Sequence, residues 1–510
     1  MFQRLTSPEL VAAAQRHILA LLQEHAEWFL AQPQGETYPL HRREIEVTVE
    51  QERLILSCWV ETGSKSWRIL AWYWSGQALM FHASRRMGIG AMIELVPRAS
   101  AKAVTATIRA ARQARCYKVA QLACAIDPDT RIERCALSPG IGRGQPGKYA
   151  RILLRRKQLR IAVTTSVVSS HPSTVDAFLS SALLWLKRTS ERIKPPYVEQ
   201  LWLFVSASSV KTTMQRIALL RSGLRDSIRI FQVDDDFIEL EPQVCPTLAE
   251  LWKRKLSRFP PVPAATLTPP ILEIIKEAPD AIDVVHARQG ETIRYFGLPF
   301  ARVRSLLGTE RVWFGIDGTH RKILDETTFD EWRNLLDDLR EYRSANALDH
   351  RHALYRSASE AWLEALLRKD ITKLDPGLII APLHAQFRTA RGGKLGVRPI
   401  DMLALRQDGR LVVIELKVSE DREHVLQGAD YWRRVEAHRR RGHIAKAKLF
   451  GERLIRDEAP LVYLVAPTLR VHPSFQKLAS CIDAQIELFR FDINEDWRRG
   501  VRVMRRMRVN

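Results

Sequence analysis

Cysteine is scarce, with six residues in 510 and none in a C-x-x-C pair. Cys116, Cys124 and Cys135 lack the close pairing of zinc ligands, so the sequence points to a reduced, cytoplasmic protein, not a disulfide-stapled or zinc-held scaffold. Long apolar runs are missing too. No stretch of about 18 uninterrupted apolar residues occurs, so no membrane span and no membrane partner are expected. Residues 10–22 are apolar at helical spacing but broken by Gln15, Arg16 and His17, which reads as an amphipathic helix and not an export signal. The first 350 residues also lack a P-loop, an H-E-x-x-H helix and a Rossmann glycine triplet in a strand–helix setting. Acidic residues are in deficit: 79 Lys and Arg stand against 58 Asp and Glu, a net charge of +21. Such an excess favours polyanionic partners, nucleic acid first, although a generally Arg-rich proteome gives the same balance.

What is present suggests an α/β multidomain chain, long and apolar enough for several cores. Alternating segments at 44–50, 54–60, 67–74 and 77–83 predict an antiparallel meander. With the opening helix and a basic, Ala-rich helix at 99–125, it makes a first domain over 1–137. A Gly/Pro-rich break at 138–147 precedes an α/β domain over 148–240, with strands near 151–167, 200–206 and 227–233 and helices near 173–187 and 210–221. Asp234-Asp235-Asp236 reads as a solvated acidic turn. Prolines at 260–263 and 269–270 lead into a mixed α+β region over 241–350, with β-like runs at 291–296 and 311–316 and a charged helix at 330–343.

The chemistry concentrates in 351–510. An amphipathic helix begins near Ser359, whose hydroxyl could cap it, and carries Glu360 and Glu364 four residues apart. Strands are expected at 383–391, leading into Gly392 and Gly393, and at 397–405. After a hairpin turn, Gln407-Asp408-Gly409-Arg410, a third strand covers 411–418 and is apolar on both faces. Period-two alternation sets Glu415 and Lys417 on one face, and the hairpin brings Asp401 alongside. Burying such charges costs several kcal/mol unless they are paired or hold a metal. Two hard carboxylates on adjacent strands suit Mg²⁺, with Mn²⁺ as the alternative ion, and Lys417 can then orient or help deprotonate a water. On the next helix, Gln427 and Tyr431 share a face, for the site or for packing and capping.

These residues resemble the PD-(D/E)xK nuclease superfamily, including its RecB-like and NucS-like endonuclease domains, over about the last third of the chain. Pro399-Ile400-Asp401 stands at the first half-motif, Glu415-Leu416-Lys417 at (D/E)-x-K, and Gln427…Tyr431 at Q-x-x-x-Y. The resemblance implies a restriction-endonuclease-like αβββαβ core, with metal held by Asp401, Glu415 and the Leu416 carbonyl. It implies that Lys417 serves the attacking water and that Glu360, or Glu364, is the acid of the first helix. Ile400 between proline and aspartate is a minor departure. Arg433, Arg434, Arg439, Arg440 and Arg441 are the candidate nucleic-acid contacts, and a second basic cluster lies at 498–508; a solvated helix face and a frayed tail are the alternatives. His384 and Gln386 lie on the strand before the site, with His384 read as structural. The expectation is a Mg²⁺-dependent nuclease hydrolysing DNA, an endonuclease of repair or defence whose N-terminal region recognises substrate or partner. The rivals are an inactive nuclease-fold scaffold and an RNA nuclease; homodimerisation stays open.

Overall fold

In the computed structural model, the meander anticipated at 44–83 is formed by Ile45–Glu50, Arg53–Val60, Gly63–Trp74 and Leu79–Ser84, which pair antiparallel in sequence order. The structure describes every residue except 1, 32–36, 61–62, 85–89, 101, 141–145, 169–170, 193–196, 235–239, 254–264, 288–289, 307–308, 317–320 and 390–398. Part of the expected break at 138–147 and all of 260–263 therefore lie outside the described residues, as do Asp235, Asp236, Gly392 and Gly393. Contacts divide the chain into two units: Met1–Ser170, Trp185–Val210 and Ser227–Val244 form one, and His171–Leu184, Lys211–Asp226 and Cys245–Asn510 the other.

In the first unit, Gly90–Pro97, Glu27–Ala31 and Thr37–His41 extend the meander into an eight-stranded sheet that also takes in Gln3–Arg4. Helix Pro8–Gln23, capped by the Ser7 hydroxyl, lays Val11, Ala14, Ile18 and Leu22 on it. The basic helix, Ala103–Ile126, serves two cores. Ala103 and Ala106 pack with Phe29 and Val96, whereas Cys116, Val119 and Ala123 pack with Ile152, Val163, Trp202 and Phe231 of a six-stranded sheet. That second sheet revises two expectations. The region read as one strand at 151–167 is a hairpin, Pro146–Arg156 against Leu159–Ser166. The break at 138–147 joins two antiparallel neighbours, Thr130–Pro139 and Pro146–Arg156, so it is a connection inside one sheet and not a domain boundary. Leu159–Ser166, Val198–Ser206 and Ile228–Val233 run parallel, as strand–helix–strand alternation requires.

The second unit holds two sheets. Ile282–Ala287, Gly290–Tyr295, Leu298–Leu306, Thr309–Phe314 and Lys322–Ile323 form an antiparallel five-stranded one. Helices Pro269–Glu277 and Phe329–Tyr342 cover one of its faces through Ile271, Trp332, Leu336 and Leu339.

The C-terminal elements are α1 (Ser359–Lys369), β1 (His384–Phe387), β2 (Ile400–Leu405), β3 (Leu411–Leu416), α2 (His424–Arg439), β4 (Leu461–Pro467), β5 (Leu488–Ile493) and β6 (Val503–Arg508). The sheet order is β1-β2-β3-β4-β5-β6, antiparallel from β1 to β3, parallel from β3 to β5 and antiparallel at β6. Alternation sorts the apolar side chains between two cores. Met402, Ala404, Val412 and Ile414 pack with Trp362, Leu363 and Leu367 of α1; Leu403, Leu405 and Val413 pack with Tyr431 and Val435 of α2. Gly428 lets α2 lie close on β4, because a Cβ there would meet Leu464 Cδ2 at 2.5 Å. Two local expectations change. Ser359 does not cap α1: its hydroxyl donates to Arg356 O, and Ala358, at φ +46°, precedes the helix. The basic cluster at 498–508, whose alternative reading was a frayed tail, contributes β6.

Candidate metal centre

Asp401 opens β2, and Glu415 and Leu416 close β3. The same parity that puts Leu403 and Val413 against α2 puts Asp401, Glu415 and Lys417 on that face. The Leu416 N–H donates to Asp401 Oδ2 at 2.9 Å, which fixes the aspartate against the neighbouring strand end. Lys417 Nζ donates to Glu415 Oε1 at 2.6 Å and to Leu416 O at 3.3 Å, and its backbone N–H continues the ladder to Val465 O. The three residues line a cavity of about 380 Å³ together with Glu360, Glu364, Gln386, Pro399, Leu416, Gln427 and Tyr431. All six positions singled out in the sequence, and the alternative acid Glu364, therefore meet around one space.

Glu415 is 1% exposed and Gln427 2% exposed, and each has one buried side-chain oxygen, Glu415 Oε2 and Gln427 Oε1, without a hydrogen-bond partner. Burial, then the Asp401 carboxylate, pushes Glu415 well above the usual carboxylate range, against the pull of Lys417. Two carboxylates side by side can share a hydrogen bond only if one carries a proton, and a cation can take that proton's place. Burial works against the Lys417 ammonium, but Glu415 and then Glu360 outweigh it and hold the amine above its ordinary value. Burial and then Lys417 lower the imidazole of His424, beside the Glu415 carbonyl, to about 3.

The two acids of α1 have different duties. Glu364 accepts from Gln386 Nε2 at 2.7 Å and pairs with Arg294 Nη1 at 3.3 Å, and burial raises its pKa against both partners. Glu360 stands where its charge supports Lys417. Arg294 escaped the sequence reading, since it lies 70 residues before Glu364 and carries no motif. His384 is structural, as expected: its ring sits 2.6 Å from Leu449 O, against Phe450.

The expected phosphate clamp is largely committed elsewhere. Arg433 is held by Asp430 at 2.5 Å, and Arg439 and Arg440 by Glu436 at 2.6 Å. Arg441 donates to the carbonyls of Ala437 and Trp252 at 2.6 Å. Arg434 is buried, donates to Thr389 Oγ1 and lies over the Tyr431 ring, so it acts as an internal cation and is corrected as a phosphate contact.

No family model matches the chain, and neither a curated protein nor a solved structure matches it. Among the described residues no group of three or more His, Cys, Asp or Glu side chains closes on one metal position. Mg²⁺ needs only one or two carboxylates and keeps several waters. Asp401, Glu415 with its unpartnered oxygen and the Leu416 carbonyl at the cavity fit such an ion.

Proposed function

We propose that the chain is a Mg²⁺-dependent nuclease of restriction-endonuclease-like αβββαβ core that hydrolyses DNA phosphodiester bonds. The observation that carries this reading is the buried, unpartnered Glu415 Oε2 beside Asp401 and Lys417, facing a cavity lined by Glu360, Gln427 and Tyr431. Structural charges would end in closed pairs; this set keeps a buried acceptor unpaired among residues that line a cavity of about 380 Å³.

Asp401, Glu415 and the Leu416 carbonyl would hold the ion. When bound, Mg²⁺ supplies Lewis-acid stabilisation of phosphate charge and a more acidic water. The chain's own residues do the rest. Lys417 Nζ, held protonated by its carboxylates, offers a donor beside Glu415 to orient the nucleophile and balance charge on the phosphate. The Leu416 N–H fixes the Asp401 oxygen, so this carboxylate enters the reaction already oriented. Gln427 brings an amide oxygen able to accept a hydrogen bond from water or substrate, and Tyr431 closes the cavity on the α2 side. The Arg294–Glu364–Gln386 links stiffen the opposite wall.

Incubating supercoiled plasmid with the protein and Mg²⁺ tests this, with single-stranded, flap and mismatched DNA and RNA in parallel. Asp401→Ala and Glu415→Ala should abolish nicking. No Mg²⁺-dependent cleavage of any substrate by the wild type would overturn it, and cleavage confined to RNA would reassign the substrate.

A further inference from the structure

With Arg433, Arg434, Arg439 and Arg441 engaged by neighbouring carboxylates, Thr389 or carbonyls, and Arg440 paired with Glu436 at the surface, a nuclease of this build needs its hold on the phosphate backbone elsewhere. Among the described residues, two arginines of the five-stranded sheet and a third that immediately precedes its edge strand Lys322–Ile323 have no internal partner of that kind. In Leu298–Leu306, Ala301 and Val303 belong to the core, so pleating turns Arg302 and Arg304 to the opposite face. There Arg302 is cross-strand from Trp313 and Arg304 from Arg311, and the Arg304 guanidinium lies over the Trp313 ring at 5.6 Å. Arg321 joins them. Burial, then the charges of Arg302 and Arg304, lowers its pKa.

The Nε atoms of Arg302, Arg304 and Arg321 are all buried without a hydrogen-bond partner, and among the described residues no carboxylate pairs with any of the three. Like charges gathered without counter-ions are unfavourable unless an anion completes them. Phosphodiester oxygens suit guanidinium best, through paired charge-assisted hydrogen bonds. The face also leads to the metal centre. Thr292 is cross-strand from Arg302, and Arg294, two residues further along that strand, reaches Glu364 in the cavity wall.

We propose that the face of the five-stranded sheet carrying Arg302, Arg304 and Arg321 binds the phosphate backbone of the nucleic-acid substrate and leads it toward the metal centre. The identity of the polyanion rests on the nuclease reading; the anion site rests on the arginines. The test is fluorescence anisotropy of the full chain with labelled single-stranded and duplex DNA in EDTA, where binding is read without cleavage, across a salt series. R302Q/R304Q/R321Q should weaken binding by about tenfold or more at ~0.1 M salt and reduce the slope of log K against log salt by about 2–3. R302K/R304K/R321K should keep most of that slope, and R440Q, at a half-exposed side chain, should leave binding unchanged. If the Gln variant does not fold, R304E alone should show the same direction.

A folded Gln variant with wild-type affinity and slope overturns the proposal. So does lost binding to anionic phospholipid vesicles with oligonucleotide affinity intact. The two readings separate. A wild type that cleaves DNA while its Gln variant keeps the same KM defeats this inference alone. A wild type that binds oligonucleotide through these arginines but never cleaves defeats the nuclease reading alone.

Discussion

Asp401 is restrained by one backbone donor, whereas Glu415 is restrained by Lys417 on one oxygen and, among the described residues, has no hydrogen-bond partner on the other. That asymmetry sets what each substitution should do. In Asp401→Asn the amide oxygen can still accept the Leu416 N–H, and the new NH₂ can donate to Glu415 Oε2. We expect the metal-free variant to be more stable than wild type by about 1–2 kcal/mol, because the carboxylate pair that raises the Glu415 pKa becomes an amide–carboxylate hydrogen bond. The same variant should lose Mg²⁺ stabilisation, which in wild type amounts to about 2.7 kcal/mol at a hundred times Kd. Thermal unfolding in EDTA and in Mg²⁺ measures both; a less stable metal-free Asn variant contradicts the geometry. Lys417→Met removes the ammonium donor to Glu415 Oε1 and should lower metal-free stability by about 3–5 kcal/mol, read by denaturant unfolding near neutral pH.

At the scale of elements, the site depends on where α1 begins, and one arginine decides that. Arg343 is fully buried and, among the described residues, has no carboxylate partner; it donates to the carbonyls of Tyr295 and Phe296 at 2.8 Å and of Leu354 and Ser357 at 2.7 Å. Its guanidinium also lies over the Trp362 ring, and burial, then the Arg498 charge, brings its pKa down to about 9. It ties the five-stranded sheet to the turn before α1, where Gly297, at φ +76°, takes a close approach: a Cβ there would meet Ala361 O at 2.0 Å. Arg343→Met would leave four carbonyls without their donor. A loss of at least about 3 kcal/mol in denaturant unfolding is expected, together with weaker Mg²⁺ binding as Glu360 and Glu364 lose register. None of this was legible in the sequence. The β2–β3 hairpin and α2 were, because Asp408-Gly409, strict alternation and i, i+4 spacing are local signals. Arg294 with Glu364, and Arg343 with four carbonyls, are contacts of long sequence separation that no local pattern encodes.

For the whole molecule, the apolar pattern revealed four β-rich regions but not how the chain divides. The break at 138–147 looked like a linker because glycine and proline mark hairpin connections as readily as domain boundaries. The division also assigns His171–Leu184 and Lys211–Asp226 to the unit of the candidate site, and buried charges show what holds them there. Arg216 pairs with Asp176 at 2.6 Å and with Asp430 of α2 at 2.5 Å. Burial disfavours the Asp430 carboxylate, but Arg216, Arg433 and Arg434 outweigh it and hold its pKa at about 2. Further along α2, His438 is buried 3.1 Å from Thr389 O and 3.0 Å from His443, and burial, then the His443 charge, lowers its pKa from 6.5 to about 4. Between those two values the unfolded chain binds a proton that the folded chain refuses. The His438 contribution is therefore complete above pH 6.5 and is lost as pH falls toward 4. Asp430, depressed from 3.8 to about 2, adds a loss of the same direction only below its ordinary value. Metal-free protein should thus lose up to about 2 kcal/mol through His438 between about pH 7.5 and pH 5, at ~1.4 kcal/mol per unit once titration is under way. His438→Gln should flatten that part of the curve in denaturant unfolding, and an unchanged slope would mean that the unfolded and folded imidazoles take up their protons together.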